Sequence, residues 1–390
     1  MPADSQFFGV QTVRQDNKNT EFGMKVLKFG GSSVASYKEI LQVAHIIKNT
    51  SQKESVVIVV SAMKGVTDTL YDCAQAAQNG DESYQKILTE LEDKHLFTIR
   101  ELIAVQNQSS VITQLKMWLN QLEDICRGVY LIRELSSKSM DYIYSFGELM
   151  SAKILTQTLR HLDTEAEFVD SRKLIKTDRS FGKAQVDQEK TFSLIQNKIG
   201  GKDHPVVLPG FIASSYKGET TTLGRGGSDY TASLTASALS AKRLEIWTDV
   251  EGVFTADPRL VEGAQPVKEL SYQEAMELAH FGAKVIYPPT IQPVMEHDVP
   301  VLIKNTFQPE KQGTVIKNEV ELSDDTVRGI SSLDNVALIT LSGSNMIGVP
   351  GVAARLFKTL ADHHINIMLI TQASSEHTIT VGLDKELLNE

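Results

Sequence analysis

Cysteine and long hydrophobic runs are scarce in this sequence, and each shortage excludes a class of protein. The 390 residues contain two cysteines, Cys73 and Cys126, both within helix-like sequence. We expect them to be small core residues in a reducing compartment, not a disulfide or a metal site. No apolar run approaches the roughly 18 residues of a membrane span. The sequence therefore predicts a cytoplasmic protein without a membrane partner.

The sequence also lacks an excess of basic charge and the common nucleotide-binding motifs. The net charge of −10 argues against a broad nucleic-acid surface, although a local basic pocket for nucleotide phosphates remains compatible with it. Neither a GxGxxG dinucleotide turn nor a GxxxxGK[ST] phosphate loop occurs. With 41% hydrophobic and 23% charged residues, the composition is that of a globular protein long enough for two or three domains.

The first 23 residues are polar and lack the apolar core of a secretion signal. We expect residues 1–23 to be either a disordered extension or an added leader, and the sequence leaves both open. Met24 begins the first strand-like pattern and is a candidate start of the folded domain.

That first strand pattern ends in a glycine turn. Residues 25–29 have the apolar character of a short buried strand, and Gly30 and Gly31 break it before a helical pattern over 37–48. Such a turn presents backbone N–H groups and a helix N-terminus to an anion, and Lys28 adds a positive charge. The segment predicts a phosphate site, although this turn is also ordinary punctuation of αβ folds.

Two isolated polar residues are further candidates. Ser61 follows a buried strand pattern over 55–60, at the end of the strand where open αβ sheets bind ligands. A capping serine explains it equally well. Glu148 stands between apolar residues in a strongly helical stretch, and a glutamate is almost never buried without a partner. A solvated glutamate is the alternative there.

A glycine-rich segment, TTTLGRGGSDYTA at 220–232, carries an arginine between glycines. The guanidinium of Arg225 is a fork for a carboxylate or phosphate, and Asp229 can accept from an ammonium. Ser228 and Asp229 are also explained by the start of a helix. The arginine is not, so we favour a binding site here.

Together these segments resemble the aspartokinases of the amino-acid kinase superfamily. Five stretches match in order: KFGGSSV at 28–34, SFGELMSA at 145–152, GRGGSDYTA at 224–232, TDVEGVFTADPR at 248–259 and FGAKVI at 281–286. The resemblance implies an α/β catalytic domain over 24–315, with a sheet sandwiched by helices. It also implies ATP-dependent phosphorylation of the side-chain carboxylate of L-aspartate to 4-phospho-L-aspartate, the first step towards threonine, methionine and lysine.

The resemblance also assigns roles to residues. Lys28 with the Gly30–Gly31 turn would stabilise the transferring phosphoryl group, and Asp229 would orient the substrate. The aspartate-binding set would be Ser61, Thr67, Glu148, Arg225 and Ser228. The ATP-binding set would be Thr248, Asp249, Phe254, Asp257, Arg259 and Lys284, with Mg²⁺ carried by the nucleotide and no metal site of the protein's own. The family usually has tyrosine where this chain has Phe254, which keeps apolar contact but loses a hydroxyl. Lys284 lies in helical sequence, where lysines are usually solvated.

The chemistry agrees with the composition. A carboxylate nucleophile, with an unperturbed pKa near 4, is ionised at neutral pH and needs no general base. Catalysis then consists of positioning and of neutralising charge on the phosphoryl group. That explains a chain without a catalytic histidine or cysteine constellation.

The last part of the chain changes to a βαββ pattern over 336–383, which resembles an ACT domain, a small α+β sensor of small molecules. The segment ITQASSEH at 370–377 is similar to the threonine-responsive bifunctional aspartokinase–homoserine dehydrogenases. The effector contacts would be Asn345, Ile347, Gly348 and Gln372, with L-threonine as effector and a homo-oligomer formed through the ACT-like domain.

Relatives of that kind carry two interleaved ACT units, whereas one is evident here. We therefore expect residues 316–390 to be an incomplete ACT-like domain in the N-terminal part of a longer protein, with a strand over 326–333 that lacks its partners. Two hypotheses remain beside the aspartate kinase: a kinase of the same superfamily acting on glutamate, acetylglutamate or UMP, and a non-catalytic amino-acid sensor.

Overall fold

The structure is a computed structural model that describes residues 23–280, 287–320, 327–372 and 377–389. Its strands are β1 (Lys25–Phe29), β2 (Val56–Val60), β3 (Glu167–Phe168), β4 (Lys176–Thr177), β5 (Val206–Pro209), β6 (Ile212–Ser215), β7 (Thr220–Thr222), β8 (Arg243–Thr248), β9 (Glu269–Ser271), β10 (Val301–Asn305), β11 (Thr314–Lys317), β12 (Val336–Ser342), β13 (Leu369–Gln372) and β14 (Thr378–Asp384). Its helices are α1 (Tyr37–Ser51), α2 (Val66–Asn79), α3 (Ser83–Leu102), α4 (Ser109–Ile132), α5 (Ser137–His161), α6 (Gln188–Ile199), α7 (Gly227–Ala238), α8 (Tyr272–His280), α9 (Pro288–Glu296) and α10 (Val352–Asp362).

Eight strands form the main sheet, in the order β3-β5-β2-β1-β8-β10-β11-β9. The six strands from β3 to β10 run parallel, and β11 is antiparallel to β10. β1 lies at the centre, where Lys28 pairs with Val59 on one side and Ile246 on the other. The carboxyl ends of β1, β2 and β8 therefore share one edge of the sheet, as open αβ folds require of a ligand site.

Helices cover both faces of this sheet because its strands are apolar on both sides. Leu27 and Phe29 of β1 pack into a core with α1 to α5. Val26 points the other way, into a second core with α6 to α9. All five residues of β1 and of β2 are buried, which is typical of parallel strands under two helical layers.

The first core contains both cysteines. Cys73 of α2 and Cys126 of α4 are free and fully buried, with their sulfur atoms 3.7 Å apart. They act as small packing residues between the two helices, as the sequence predicts. No helix in the described ranges is long and apolar enough to cross a bilayer.

The ACT-like part is a three-stranded antiparallel sheet in the order β12-β14-β13, with α10 between its first two strands in sequence. Ile379, Val381 and Leu383 of β14 pack with Leu360 of α10 in a small core of their own. The predicted fold, an α/β sheet between helices followed by a small βαββ region, is confirmed.

One predicted strand is wrong. Residues 327–333, the described part of the strand expected over 326–333, are not in a strand. The Ile330 N–H donates instead to the carbonyl of Thr255 at 2.7 Å, and Arg328 forms an ion pair with Glu274 at 3.2 Å. The segment therefore packs on the kinase-like part of the molecule instead of joining a sheet.

Candidate active site

Four turns from distant parts of the chain meet in one cavity of about 540 Å³. Gly31 follows β1, Ser61 follows β2, Arg225 follows β7 and Asp249 follows β8, and all four line the cavity. Lys28, Thr67, Glu148, Ser228 and Asp229 line it as well. The sequence-predicted catalytic and aspartate-binding residues are thus brought together, apart from Gly30, which does not line the cavity but lies beside Lys28.

A largely buried ion pair lines this cavity. The Lys28 Nζ lies 2.6 Å from Oδ1 of Asp229, and the two side chains are 11% and 22% exposed. Lys28 is on β1 and Asp229 is in the first turn of α7, so the pair joins the central strand to the helix that packs on it. An anion that enters the cavity meets this ammonium together with the positive end of the α7 dipole.

The glycines after β1 let the chain approach its neighbours closely. A Cβ on Gly31 would lie 3.2 Å from the carbonyl oxygen of Ala62, and one on Gly30 would lie 3.5 Å from the Lys28 Nζ. Residues Gly31–Val34 then form a short 3₁₀ turn, and α1 begins after Ser36, whose hydroxyl accepts from the Lys38 N–H. The predicted strand, glycine turn and helix are therefore present.

Glu148 is buried, so the solvated alternative is excluded for it. The residue is 4% exposed, and its Oε2 has no hydrogen-bond partner among the described residues. Burial raises the pKa of this carboxyl to about 8, although a hydrogen bond from the Ala62 N–H acts in the opposite direction. An unpartnered acceptor that lines a cavity suits a ligand that brings a proton or a positive charge.

Arg225 lies between two glycines whose backbone conformation favours glycine. Gly224 and Gly226 both have left-handed backbones, with φ of 72° and 71°. The Arg225 side chain is exposed, and its guanidinium lies 5.5 Å from the centre of the Tyr287 ring. No salt bridge holds Arg225 among the described residues, so the backbone geometry of its turn presents the arginine to the cavity.

The start of α7 differs from the simplest expectation. The helix begins at Gly227 with Gly226 as its N-cap, so Ser228 and Asp229 belong to the first turn and do not cap it. Ser228 is nearly buried and packs against Gly210, where a Cβ would come within 2.7 Å of the serine side chain. Capping alone therefore does not explain these two residues.

A second cavity, of about 450 Å³, adjoins the first at Asp249, which lines both. It is lined by Thr248, Asp249, Phe254, Asp257 and Arg259, five of the six residues that the resemblance assigns to ATP. Arg259 pairs with Asp257 at 2.6 Å and lowers the pKa of that carboxyl to about 2. The sixth residue, Lys284, lies outside the described residues.

Sequence reasoning missed part of each cavity. Leu278, Ile330, Ser331 and Ser332 line the second cavity, the last three from the segment that precedes the ACT-like sheet. Lys64, Asp68 and Phe211 line the first. Neither group follows a recognisable motif, and the contact of residues 330–332 depends on how that segment folds back.

The ACT-like part has a cavity of its own, of about 360 Å³, between the turn after β12 and the end of β13. Gly348 and Gln372, two predicted effector contacts, line it together with Met346, Val349, Val352 and Ile379. Ile347 is 59% exposed and does not belong to the lining. Asn345 lies in a short 3₁₀ turn, and its side chain is outside the described set.

The comparisons with known proteins agree with this arrangement. A sequence model described as the amino acid kinase family matches residues 23–305. The chain belongs to the amino acid kinase family. A model of the ACT domain matches residues 339–390.

Within this family, similar curated proteins include aspartokinases. The chain is 37% identical over 377 residues to bifunctional aspartokinase/homoserine dehydrogenase 2, chloroplastic, of Arabidopsis thaliana, covering 93% of this chain and 40% of that protein. It is 35% identical to lysine-sensitive aspartokinase 3 of Escherichia coli, covering 92% of this chain and 78% of that one. The chain thus spans less than half of the bifunctional relative.

A crystal structure of E. coli aspartokinase III in complex with aspartate and ADP superposes with a TM-score of 0.79 at 33% identity, covering 93% of this chain and 78% of that one. The same relative in complex with lysine and aspartate gives 0.78. The resemblance to the aspartokinases inferred from five sequence segments is confirmed.

Proposed function

We propose that this amino acid kinase transfers the γ-phosphoryl group of ATP to the side-chain carboxylate of L-aspartate. The observation that carries the proposal is the cavity in which Glu148, Arg225 and the Lys28–Asp229 pair converge, beside a second, more apolar cavity that shares Asp249. One cavity has groups for both charged ends of an amino acid, and the other can take a nucleoside.

The substrate groups find matching partners. Arg225 binds the α-carboxylate through its guanidinium fork, and Glu148 and Asp229 accept from the ammonium group. The side-chain carboxylate then lies towards Lys28, whose charge is needed most as negative charge spreads over the transferred phosphoryl group. Ser61, Thr67 and Ser228 complete the walls as hydroxyl donors.

Magnesium arrives with the nucleotide in this proposal. The described residues hold no group of three or more His, Cys, Asp or Glu side chains able to bind a metal unaided. Mg²⁺ commonly uses one or two carboxylates plus phosphate oxygens, and Asp249 at the junction of the two cavities fits that donor set. When bound, the ion would neutralise phosphate charge.

Arg225 provides the test. Arg225→Ala should raise the KM for aspartate far more than it lowers kcat, because a carboxylate clamp acts in the ground state as well as the transition state. Arg225→Lys should restore little, since an ammonium cannot reproduce the fork. Arg133→Ala is the matched control, because Arg133 is another exposed arginine whose guanidinium lies over a tyrosine ring, at 4.4 Å from that of Tyr130.

The assay is coupled ADP release with aspartate, with glutamate and without an acceptor. Turnover with aspartate supports the proposal. Preferential turnover of glutamate would favour a different kinase of the family, and no turnover with any acceptor would favour an amino-acid sensor. An unchanged aspartate KM in both Arg225 variants would reassign the arginine to another ligand, such as the ATP phosphates.

We also propose that the cavity of the ACT-like part binds a small amino acid, with L-threonine as the first candidate. The Gln372 amide at the end of β13 can both donate to a carboxylate and accept from an ammonium. Calorimetric titration of threonine and of lysine into the protein and into Gln372→Ala measures this. Equal binding by both proteins would exclude Gln372 as a contact.

Assembly with a second copy is proposed through the ACT-like sheet. β12 and β13 are both edge strands, and Leu338, Leu341, Leu369 and Ile370 on them are 37–64% exposed. Pairing with another copy would cover these apolar side chains and the open edges. Light scattering of the protein and of Leu338→Asp tests it, and a monomer at high concentration would rule it out.

A further inference from the structure

A second acidic residue of α5 is buried outside the cavity, and the proposed mechanism does not use it. Asp141 is 1% exposed, and no lysine, arginine or histidine among the described residues lies within ion-pair distance of it. Its oxygens accept instead from the N–H of Gly182 at 2.9 Å and from Thr222, through its N–H at 3.0 Å and its hydroxyl at 2.7 Å. Burial raises the pKa of this carboxyl, whereas these hydrogen bonds lower it.

The donors to Asp141 sit on the two segments that hold the arginine turn. Thr222 is the last residue of β7, immediately before Leu223 and Gly224. Gly182 packs directly against the turn, because a Cβ on Gly224 would lie 3.3 Å from the Gly182 carbonyl oxygen. The Ala184 N–H also donates to the Thr222 carbonyl at 3.0 Å, which ties the two segments together. The Asp141 carboxylate therefore binds both segments that contact the turn, one through Gly182 and the other through Thr222.

The same helix carries Glu148. Glu148 lies seven positions after Asp141, which is about two turns, so both side chains leave α5 on one face. Glu148 faces the cavity, and Asp141 holds the turn that presents Arg225 to that cavity. One continuous helix thus connects the two groups that the proposed function assigns to the ammonium and the α-carboxylate of the substrate.

We propose that Asp141 is a positioning residue that fixes the Arg225 turn relative to Glu148 and thereby sets the affinity for the amino-acid substrate. The inference rests on the proposed function for its effect on substrate, but not for its effect on the turn. A buried carboxylate is costly when it lacks hydrogen-bond donors. The position of the turn in which all three donors reach Asp141 is therefore favoured over others.

Thr222→Val is the decisive variant, because it removes one donor to Asp141 and leaves the carboxylate in place. Thr221→Val is its matched control. Thr221 is the neighbouring residue of β7, is equally buried and makes a single side-chain hydrogen bond, to Thr177 at 2.7 Å. The two variants lose the same group from the same strand and differ in whether the hydroxyl faces Asp141.

Two readouts are compared. In steady-state kinetics, Thr222→Val should raise the KM for aspartate about tenfold with kcat changed less than about twofold, since the lost bond is to a charged acceptor. Thr221→Val should leave the KM within about twofold. In hydrogen exchange, the amides of residues 223–226 should exchange faster in Thr222→Val than in Thr221→Val. Asp141→Asn should show the same pattern more strongly, because its amide cannot accept from both neighbours.

Equal KM and equal exchange in the two threonine variants would overturn the inference, as would a Thr222→Val effect confined to kcat. Failure of the proposed function appears differently. If the unmodified protein does not phosphorylate aspartate, the exchange comparison still decides whether Asp141 holds the arginine turn.

Discussion

The stability of Glu148→Gln relative to the unmodified protein should increase as pH rises, whereas the variant should bind substrate less well. Burial raises the pKa of Glu148 from 4.5 to about 8. Between these values the folded protein keeps a proton that the unfolded chain releases, so the contribution of Glu148 to stability falls as pH rises. At 1.36 kcal/mol per pKa unit, the cost is about 3 kcal/mol at pH 7 and about 5 kcal/mol once the group has ionised.

The glutamine variant does not titrate and escapes this cost. Its amide nitrogen would take the place of the unpartnered Oε2, which adds a penalty of about 1–3 kcal/mol that does not depend on pH. The difference in unfolding free energy between variant and parent should therefore increase by several kcal/mol from pH 5 to pH 8.5. Other titrating groups cancel in that difference.

Urea unfolding at half-unit pH intervals, with the midpoint and slope fitted at each, measures the effect. The aspartate KM of the variant should rise at the same time, because a bound ammonium favours the ionised form of Glu148 and then pairs with a carboxylate, whereas the amide stays neutral. A stability difference that stays constant across the pH range would refute both the raised pKa and its explanation by burial.

Three further expectations follow from individual contacts. Lys28→Ala should lower kcat by about 10²–10³-fold with a smaller change in the aspartate KM, as steady-state kinetics would show; near-normal turnover would remove Lys28 from the mechanism. Gly147→Ala should destabilise by about 1–3 kcal/mol in thermal unfolding, because its Cβ would lie 2.9 Å from that of Ala62, whereas Gly128→Ala, with open space around it, should not. Burial lowers the pKa of His95 to about 4, so the free energy of unfolding should fall as pH drops from 6.5 to 4. His95→Gln should weaken that dependence in urea unfolding, and the same pH dependence in both proteins would contradict it.

The sequence was most informative where function depends on local order. Strand ends, glycine turns and helix starts are encoded within a few residues, and parallel strands bring their carboxyl ends to one edge. The positions of Lys28, Ser61 and Asp249 could therefore be predicted together. Arg225 lines the same cavity but follows β7, which belongs to a separate sheet with β4 and β6 and not, as expected, to the central sheet. The glycines around Arg225 were a local signal as well, since a left-handed backbone needs them.

What escaped prediction depends on distant partners. The environment of Glu148 is decided by the packing of α5 over other elements, so the sequence left burial and solvation equally open. Asp141 accepts from residues 41 and 81 positions further along the chain, and no local pattern marks that arrangement. The strand expected over 326–333 from the resemblance to relatives with two ACT units is wrong for 327–333, because a strand needs a neighbour that supplies the ladder, and Ile330 bonds to Thr255 instead.

The central place of β1 has a consequence for how the chain is made. β1 is among the first described segments to leave a ribosome, whereas one of its two neighbours, β8, comes after β2, β3 and β5 of the main sheet. The Ser33 hydroxyl, just beyond β1, donates to the carbonyl of Trp247, 214 residues later. During synthesis the strand that carries Lys28 is apolar on both faces, and the edge that pairs with β8 stays unpaired until β8 has emerged. The cavity residues at the ends of β1 and β8 come together only when these two strands pair, so a complete cavity should appear only after that step of folding.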